Sequence, residues 1–468
     1  MAASIASGVC LLLILFAPAW AAAQGQPPGG QKKLVLKVEE AVKRALKVND
    51  ELKEAFAGVD VSRGKQAQAE GAKWAQLEAN IFAGPSPVSE LTKDGSTDGT
   101  IQSSSRVDDP VINGVFGRAQ ILLVQPLYTF GKITAFREAA GLGVQVSEAG
   151  VDKKASEVVL QVQQFYYGAL LAGDVSGFLD GLREELERAL RKAERQVEAG
   201  SPAATVSDVY QLRAFLAQAQ TKMAEAETGR KLARDAIRAA LKLEQGVDFE
   251  LADKALEPAK VDIKAFEAYV QTARELRPEF VQLRHGIKAR EALVQAAVAD
   301  QYPIVYAAAV ADIAQSTNRD ESELPIITDP LQHSQGGVIL GLRWHFDFGI
   351  TRGRIDEARA EQTKLIHKQD FADVGIPLQV RKAYLDLENA QQAIVTTEQA
   401  YRNARRWLVS AAANFDLGIG DVRELTDAFV SYSLFRVDNF RAIYNQRIAL
   451  ANLTFATGET VREFPARP

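Results

Sequence analysis

Apolar positions in this chain follow two rhythms, and each rhythm is met twice. Leu34 to Ala72 carries a helical spacing, with Val38, Val42, Ala45 and Leu52 on one face. From Trp74 to Ala83 the period drops to two. Trp74, Gln76, Glu78, Asn80 and Phe82 alternate with Ala75, Leu77, Ala79, Ile81 and Ala83, which predicts a strand with one small apolar face. Pro85 to Asn113 is rich in Ser, Thr, Asp and Gly and reads as a long polar loop. A second strand, Gly114 to Tyr128, ends in a turn at Phe130-Gly131. From Lys132 to Glu198 there is no proline, and charged residues alternate with Ala, Val and Leu. As one helix this stretch is roughly 100 Å long at about 1.5 Å per residue, so it needs a coiled-coil partner or a tube. Gly200-Ser201-Pro202 breaks it. A return helix over 206–243 shows heptad rows, Val209, Leu216 and Met223 beside Leu212, Ala219, Ala226 and Ala233. Gln245 to Asp262 reads as a linker.

The second half repeats this plan. A helix is expected over 263–300, a strand over 302–315, a polar loop over 316–336 and a strand over 337–348. In that last strand Ile339, Gly341, Arg343, His345 and Asp347 share one face. The turn Phe348-Gly349 matches Phe130-Gly131, a second long helix spans 351–415, Gly418-Ile419-Gly420 matches Gly200, and a return helix spans 422–456. Phe130 and Phe348, Leu160 and Leu378, Tyr166 and Tyr384, and Gly200 and Gly418 are each 218 positions apart, so an internal duplication is expected. A leading helix and a return helix laid end to end span roughly 110 Å at about 1.5 Å per residue. That matches one long helix, and places both glycine breaks at one end and the four strands at the other. Four strands cannot close a barrel alone, and lipid does not tolerate open sheet edges, so several chains must share one barrel.

Composition narrows the function. The 468 residues carry a formal net charge of −5, which argues against nucleic acid as a partner. The single cysteine, Cys10, lies in a stretch (1–23) that reads as a secretory signal peptide, with an apolar core from Val9 to Ala17 and a small-residue cleavage site at Ala21-Ala22-Ala23. No later run of apolar residues is long enough for a transmembrane helix. His285, His333, His345 and His367 show no zinc spacing, and no phosphate loop or nucleophile motif appears. No catalytic residue, metal or cofactor is expected, and the chain is not expected to be an enzyme. Domain boundaries are placed at 24–262 for the first repeat and 263–458 for the second, followed by a tail over 459–468.

Several passages resemble the TolC-type outer-membrane efflux family: residues 34–52, Arg277-Pro278-Glu279-Phe280, Tyr302-Pro303, Gln125 to Gly131, Trp344 to Gly349, Gly418 to Ala428, Tyr444-Asn445 and Gly458. The resemblance implies a long α-helical coiled-coil barrel plus four β-strands per chain, and a homotrimer whose twelve strands form an outer-membrane β-barrel continuous with a periplasmic tunnel. It implies an exit duct of a tripartite efflux or type I secretion system. Its partners are outer-membrane lipid, a periplasmic adaptor (membrane fusion) protein and, through it, an inner-membrane pump. Adaptor-docking tips fall at Gly200, Ser201, Asp208, Gly418, Gly420, Asp421 and Arg423, with Asp208, Asp421 and Arg423 read as helix caps or tip solvation rather than specific adaptor contacts. An acidic pore constriction falls at Glu424 and Asp427, three apart on one helix face. Phe130, Gly131, Phe348 and Gly349 mark the strand-to-helix junctions. The family's arginine two positions after the tip glycine is replaced here by Gly420, with Arg423 the nearest basic residue. Pro377, preceded by Gly375, is expected to kink the second long helix. Trp344, Phe346, Tyr128 and Phe130 form either an aromatic belt at the membrane interface or packing at the barrel-to-helix junction. The alternative function is an exported periplasmic coiled-coil scaffold without a pore.

Overall fold

The computed structural model describes residues 34–87, 112–201, 204–317 and 329–466. The signal peptide expected at 1–23, with Cys10, and residues 24–33 lie outside these. In chain order the elements are β1 (Leu34–Leu36), α1 (Val38–Val48), α2 (Asp50–Gly71), β2 (Gln76–Pro87), β3 (Ile112–Tyr128), α3 (Lys132–Glu198) and α4 (Val206–Ala240). They continue with β4 (Phe249–Leu251), α5 (Phe266–Leu276), α6 (Pro278–Ala299), β5 (Ile304–Ser316), β6 (His333–Arg343), α7 (Ile350–Leu417), α8 (Val422–Thr457) and α9 (Glu459–Glu463). The two long helices, α3 and α7, hold 67 and 68 residues.

Each leading helix is two helices rather than one. Asn49 leaves the helical region (φ −63°, ψ 128°), and its side chain caps α2 by accepting the Leu52 amide at 2.9 Å. Arg277 also leaves the helical region (φ −70°, ψ 124°), without a side-chain cap, before Pro278, which stands at the first turn of α6, where its missing N–H costs nothing. The 245–262 linker contains β4, which pairs in parallel with β1 (Leu34↔Phe249 to Leu36↔Leu251). Phe249 is fully buried there. Of the expected 459–468 tail, residues 459–466 are described, and there α9 follows Gly458 and Phe464 packs against the core.

The core is a series of shelves along α3. Val144, Val151 and Ala155 meet Leu52 and Val59 of α2. Next, Val158, Val162, Tyr166 and Leu170 meet α1, the β1–β4 pair and the end of α4. Below them, Leu179, Leu182, Leu186 and Ala193 meet α4, α7 and α8. The middle shelf holds the completely buried Tyr166. Its hydroxyl lies 2.8 Å from Asp253 Oδ2 and 3.2 Å from the Leu36 carbonyl, and burial pushes the phenol up. A fourth cluster joins α5, α7 and α8 around Val380, Leu387 and Leu453. Helix α7 runs unbroken through Pro377, where Ile376 and Val380 are both buried.

Beyond these shelves, β2, β3, β5 and β6 form one antiparallel sheet in that order. Four strand ends, Pro87 of β2, Ile112 of β3, Ser316 of β5 and His333 of β6, reach further into the expected polar loops than the sequence suggests. Strand β2 runs through Pro85 to Pro87, tolerable because β2 is an edge strand of the protomer. Ser86 is held by the Ser316 hydroxyl at 2.6 Å, and β6 starts at His333. Conversely, β6 stops at Arg343, so Trp344, His345, Phe346 and Asp347 are not strand residues. Trp344 instead donates to the Gln301 carbonyl at 3.1 Å, and Asp347 caps α7. The Asp347 carboxylate accepts the Thr351 hydroxyl and the amides of Thr351 (2.8 Å) and Gly349 (3.2 Å). These donors, with the Thr351 hydroxyl foremost, hold its pKa down at about 2.

Two outcomes test this architecture. Gly458 ends α8 in the left-handed region (φ +76°), and a Cβ there would lie 2.8 Å from the Arg277 amide nitrogen. Gly458→Ala is expected to lower stability by about 1–3 kcal/mol, read as a lower midpoint in helical circular dichroism melts in detergent. The Asp347 cap has its full effect above the ordinary carboxylate pKa and fades as pH falls towards its own lower value. The gap in melting midpoint between the native chain and Asp347→Ala should therefore be constant from neutral pH down to about 4 and then close; a gap that widens on acidification contradicts the capping role.

Candidate conduit: the amphipathic sheet and the helical tips

The registers Gln76↔Val124, Val124↔Ala308 and Ala308↔Ile339 divide the four strands into two faces. On one lie Leu77, Ile81, Ile121, Leu123, Ala309, Ile313, Val338, Leu340 and Leu342, with no charged residue. Ile81, Val338 and Leu340 are 81%, 84% and 75% exposed. A bare apolar band on a sheet is what the lipid side of a transmembrane barrel presents. The opposite face carries Glu78, Asn80, Arg118, Gln120, Asp312, His333 and Arg343. Sequence alternation exposed this pattern in β2, but did not reveal the network in the middle of the sheet. Arg118 grips Asp312 with two nitrogens at 2.9 and 2.6 Å, Gln120 donates to the same carboxylate at 3.2 Å, and His333 Nε2 lies 3.3 Å from it. His333 Nδ1 in turn lies 2.7 Å from the Asp329 carbonyl. Two-point Arg–carboxylate pairing fixes geometry as well as charge. The clue available was a lone cation and a lone anion at matching parity in two strands.

At the base of the sheet the junction residues come together. Phe130 (φ 50°) and Gly131 (φ 87°) make the turn into α3, and Gly349 (φ 140°) makes the turn into α7. Phe130 stacks on Tyr302 with centroids 5.1 Å apart and meets Tyr128 edge-on at 4.7 Å, while Trp344 lies 4.4 Å from Phe346. Phe348 is fully exposed. Lys132 pairs with Asp300 across the junction.

At the far end both helical hairpins share one apolar cluster: Ala204, Val209 and Leu212 beside Phe415, Val422, Leu425 and Phe429. Gly200 and Gly418 take left-handed conformations (φ 67° and 73°). Gly420 is fixed by space, since a Cβ would lie 2.6 Å from the Phe415 nitrogen and 2.7 Å from the Asn414 carbonyl carbon. No arginine fits at that position. Asp208 is half of a capping box, accepting from the Thr205 amide at 2.8 Å and hydroxyl at 2.7 Å. Asp421 caps α8 through the Arg423 amide at 2.9 Å. Ser201 closes the first hairpin with a 2.9 Å bond from its amide to the Gln196 carbonyl. Glu424 and Asp427 lie exposed on one face of α8, with Arg423 also exposed beside them, and the Trp407 indole lies 3.4 Å from Glu424. Sequence reasoning missed Trp407 and also Lys192, whose ammonium binds the Asp416 carboxylate (2.7 Å) and the Asp416 and Phe415 carbonyls (2.9 and 3.4 Å), tying α3 to the end of α7.

Among the described residues no group of three or more His, Cys, Asp or Glu side chains is arranged to hold a metal. No described helix is long and apolar enough to cross a membrane.

Residues 269–459 match the family model of the outer membrane efflux protein. The chain is similar to Protein CyaE of Bordetella pertussis, at 25% identity over 338 residues, covering 70% of this chain and 67% of CyaE. It is similar to the alkaline protease secretion protein AprF of Pseudomonas aeruginosa, at 24% identity over 344 residues, covering 72% of this chain and 68% of AprF. In fold it matches the outer-membrane channel OprN with a TM-score of 0.73 at 18% identity, over 90% of this chain and 89% of OprN. Taken with the lipid-type apolar band and the paired helical hairpins, these similarities identify the chain as an outer-membrane exit duct, similar over residues 269–459 to the outer membrane efflux proteins.

Proposed function

We propose that three copies of this chain assemble into one passive conduit that crosses the outer membrane and extends through the periplasm. The supporting observation is the sheet. It is apolar on one face and polar on the other, and both edges, β2 and β6, are unpaired in one protomer. The strands alternate in direction, so β6 of one copy runs antiparallel to β2 of the next, and cyclic closure leaves no edge. Three copies give twelve strands with the polar faces lining the bore. The recurring order of two strands, a long helix and a return helix supports an internal duplication, with the first repeat over 24–262 and the second over 263–458. A scaffold without a pore gives no account of the exposed apolar band.

The hairpin ends around Gly200 and Gly418 form the periplasmic entrance and dock to an adaptor that links the duct to an inner-membrane pump. AprF is named for alkaline protease secretion, and this supports an outlet of a type I secretion system as one reading of the cargo route. Glu424 and Asp427 face the entrance, where three copies place six carboxylates in a ring that favours cations.

Planar-bilayer recordings provide the test. Glu424→Gln combined with Asp427→Asn is expected to move the reversal potential in a salt gradient towards zero and to weaken block by multivalent cations, with the trimer intact. Unchanged selectivity rejects the acidic ring. A native chain recovered as a soluble periplasmic monomer rejects the conduit itself.

A further inference from the structure

The charges on the polar face of the sheet do not all cancel within one protomer. Tyrosines apart, the four strands carry five ionisable side chains: Glu78, Arg118, Asp312, His333 and Arg343. Arg118, Asp312 and His333 satisfy one another. Among the described residues Glu78 receives only the Asn80 amide, at 3.2 Å. Arg343 lies over the Tyr306 ring at 5.3 Å and forms no ion pair among the described residues. The two remaining charges are opposite in sign, share the polar face and stand on the two open edges, Glu78 on β2 and Arg343 on β6.

We infer that Arg343 of each protomer forms an ion pair with Glu78 of its neighbour, and that this pair sets the register of the strand seam between copies. The inference rests on the trimeric barrel reading. An antiparallel seam that keeps the polar faces aligned must pair odd-numbered β6 residues with even-numbered β2 residues. Full overlap of β6 with β2 then places Arg343 opposite Gln76 and Gly341 opposite Glu78. Arg343 and Glu78 are diagonal neighbours in that register, within reach for long side chains, and glycine at 341 offers no side chain of its own opposite Glu78. The next allowed register places Arg343 directly opposite Glu78, with one fewer backbone pair.

The geometry of closure agrees. Within the protomer Gln76 is level with Ile339. In the full-overlap seam Ile339 meets Asn80 of the neighbour, a stagger of four residues per copy. Over twelve strands, at about 3.3 Å per residue and about 4.8 Å between strands, this tilts the strands by roughly 35°. The second register gives roughly 45° by the same geometry. Both fall within the range that closed barrels adopt, whereas a seam without stagger does not.

The test is a charge-reversal cycle on the full chain, read as the temperature at which the detergent-extracted trimer dissociates in SDS. Glu78→Arg and Arg343→Glu are each expected to lower that temperature by several degrees, and E78R/R343E together to restore most of the loss. As a measurement that does not depend on the reversed charges being tolerated, E78C/R343C treated with a short bis-maleimide is expected to yield covalent dimers and trimers, and either single cysteine none. A trimer whose dissociation is unmoved by the single reversals, or whose losses simply add in the double variant, overturns the ion pair and leaves the barrel standing. The absence of cross-linked species from an intact trimer also overturns it. A native chain that forms no trimer removes the reading beneath it.

Discussion

Water is absent from the hydrocarbon layer, and that single fact governs this molecule. Every backbone amide and carbonyl placed there must find a partner in the protein. One chain supplies a four-stranded sheet whose outer strands, β2 and β6, each keep one row of backbone groups open among the described residues, and in the barrel proposed above closure pairs these rows with other copies. The even strand count, the alternating directions and the apolar outer face all serve that closure. Away from the sheet the long helices run beside shorter ones, α3 beside α1, α2 and α4, and α7 beside α5, α6 and α8.

That wall is held by shelves of small and branched apolar residues rather than by one central core. Each shelf along α3 uses a different partner, first α2, then α1 with the β1–β4 pair, then the hairpins at the tip. Removing a single side chain therefore weakens one level without touching the others directly. Among the described residues the middle shelf gathers Leu36, Phe249 and, just after α9, Phe464 into one cluster around α3.

Much of this was legible in the residues. The limits of α3 and the two hairpin breaks follow from composition and glycine placement, and the two faces of β2 follow from strict alternation. What escaped was non-local. Nothing near Leu34 or Phe249 announces that these segments pair across more than two hundred residues. The breaks at Asn49 and Arg277 look helical by periodicity because apolar spacing resumes in phase on both sides. Strand ends were misjudged where polar residues such as Ser86 and His333 remain in register because their partners are also polar. Among the tip residues, Asp208 and Asp421 were legible as caps, whereas Lys192 and Trp407 became visible only once two hairpins distant in sequence were brought together.

Lys192 has a mechanical meaning. Its ammonium holds the last carbonyls of α7 from the side of α3, and the apolar residues of both hairpins interlock around it. An exposed ion pair alone is a weak fastening, but here it sits against a shared apolar seam. The two hairpins of a protomer are thus joined through one seam, so that a load on either is shared by both.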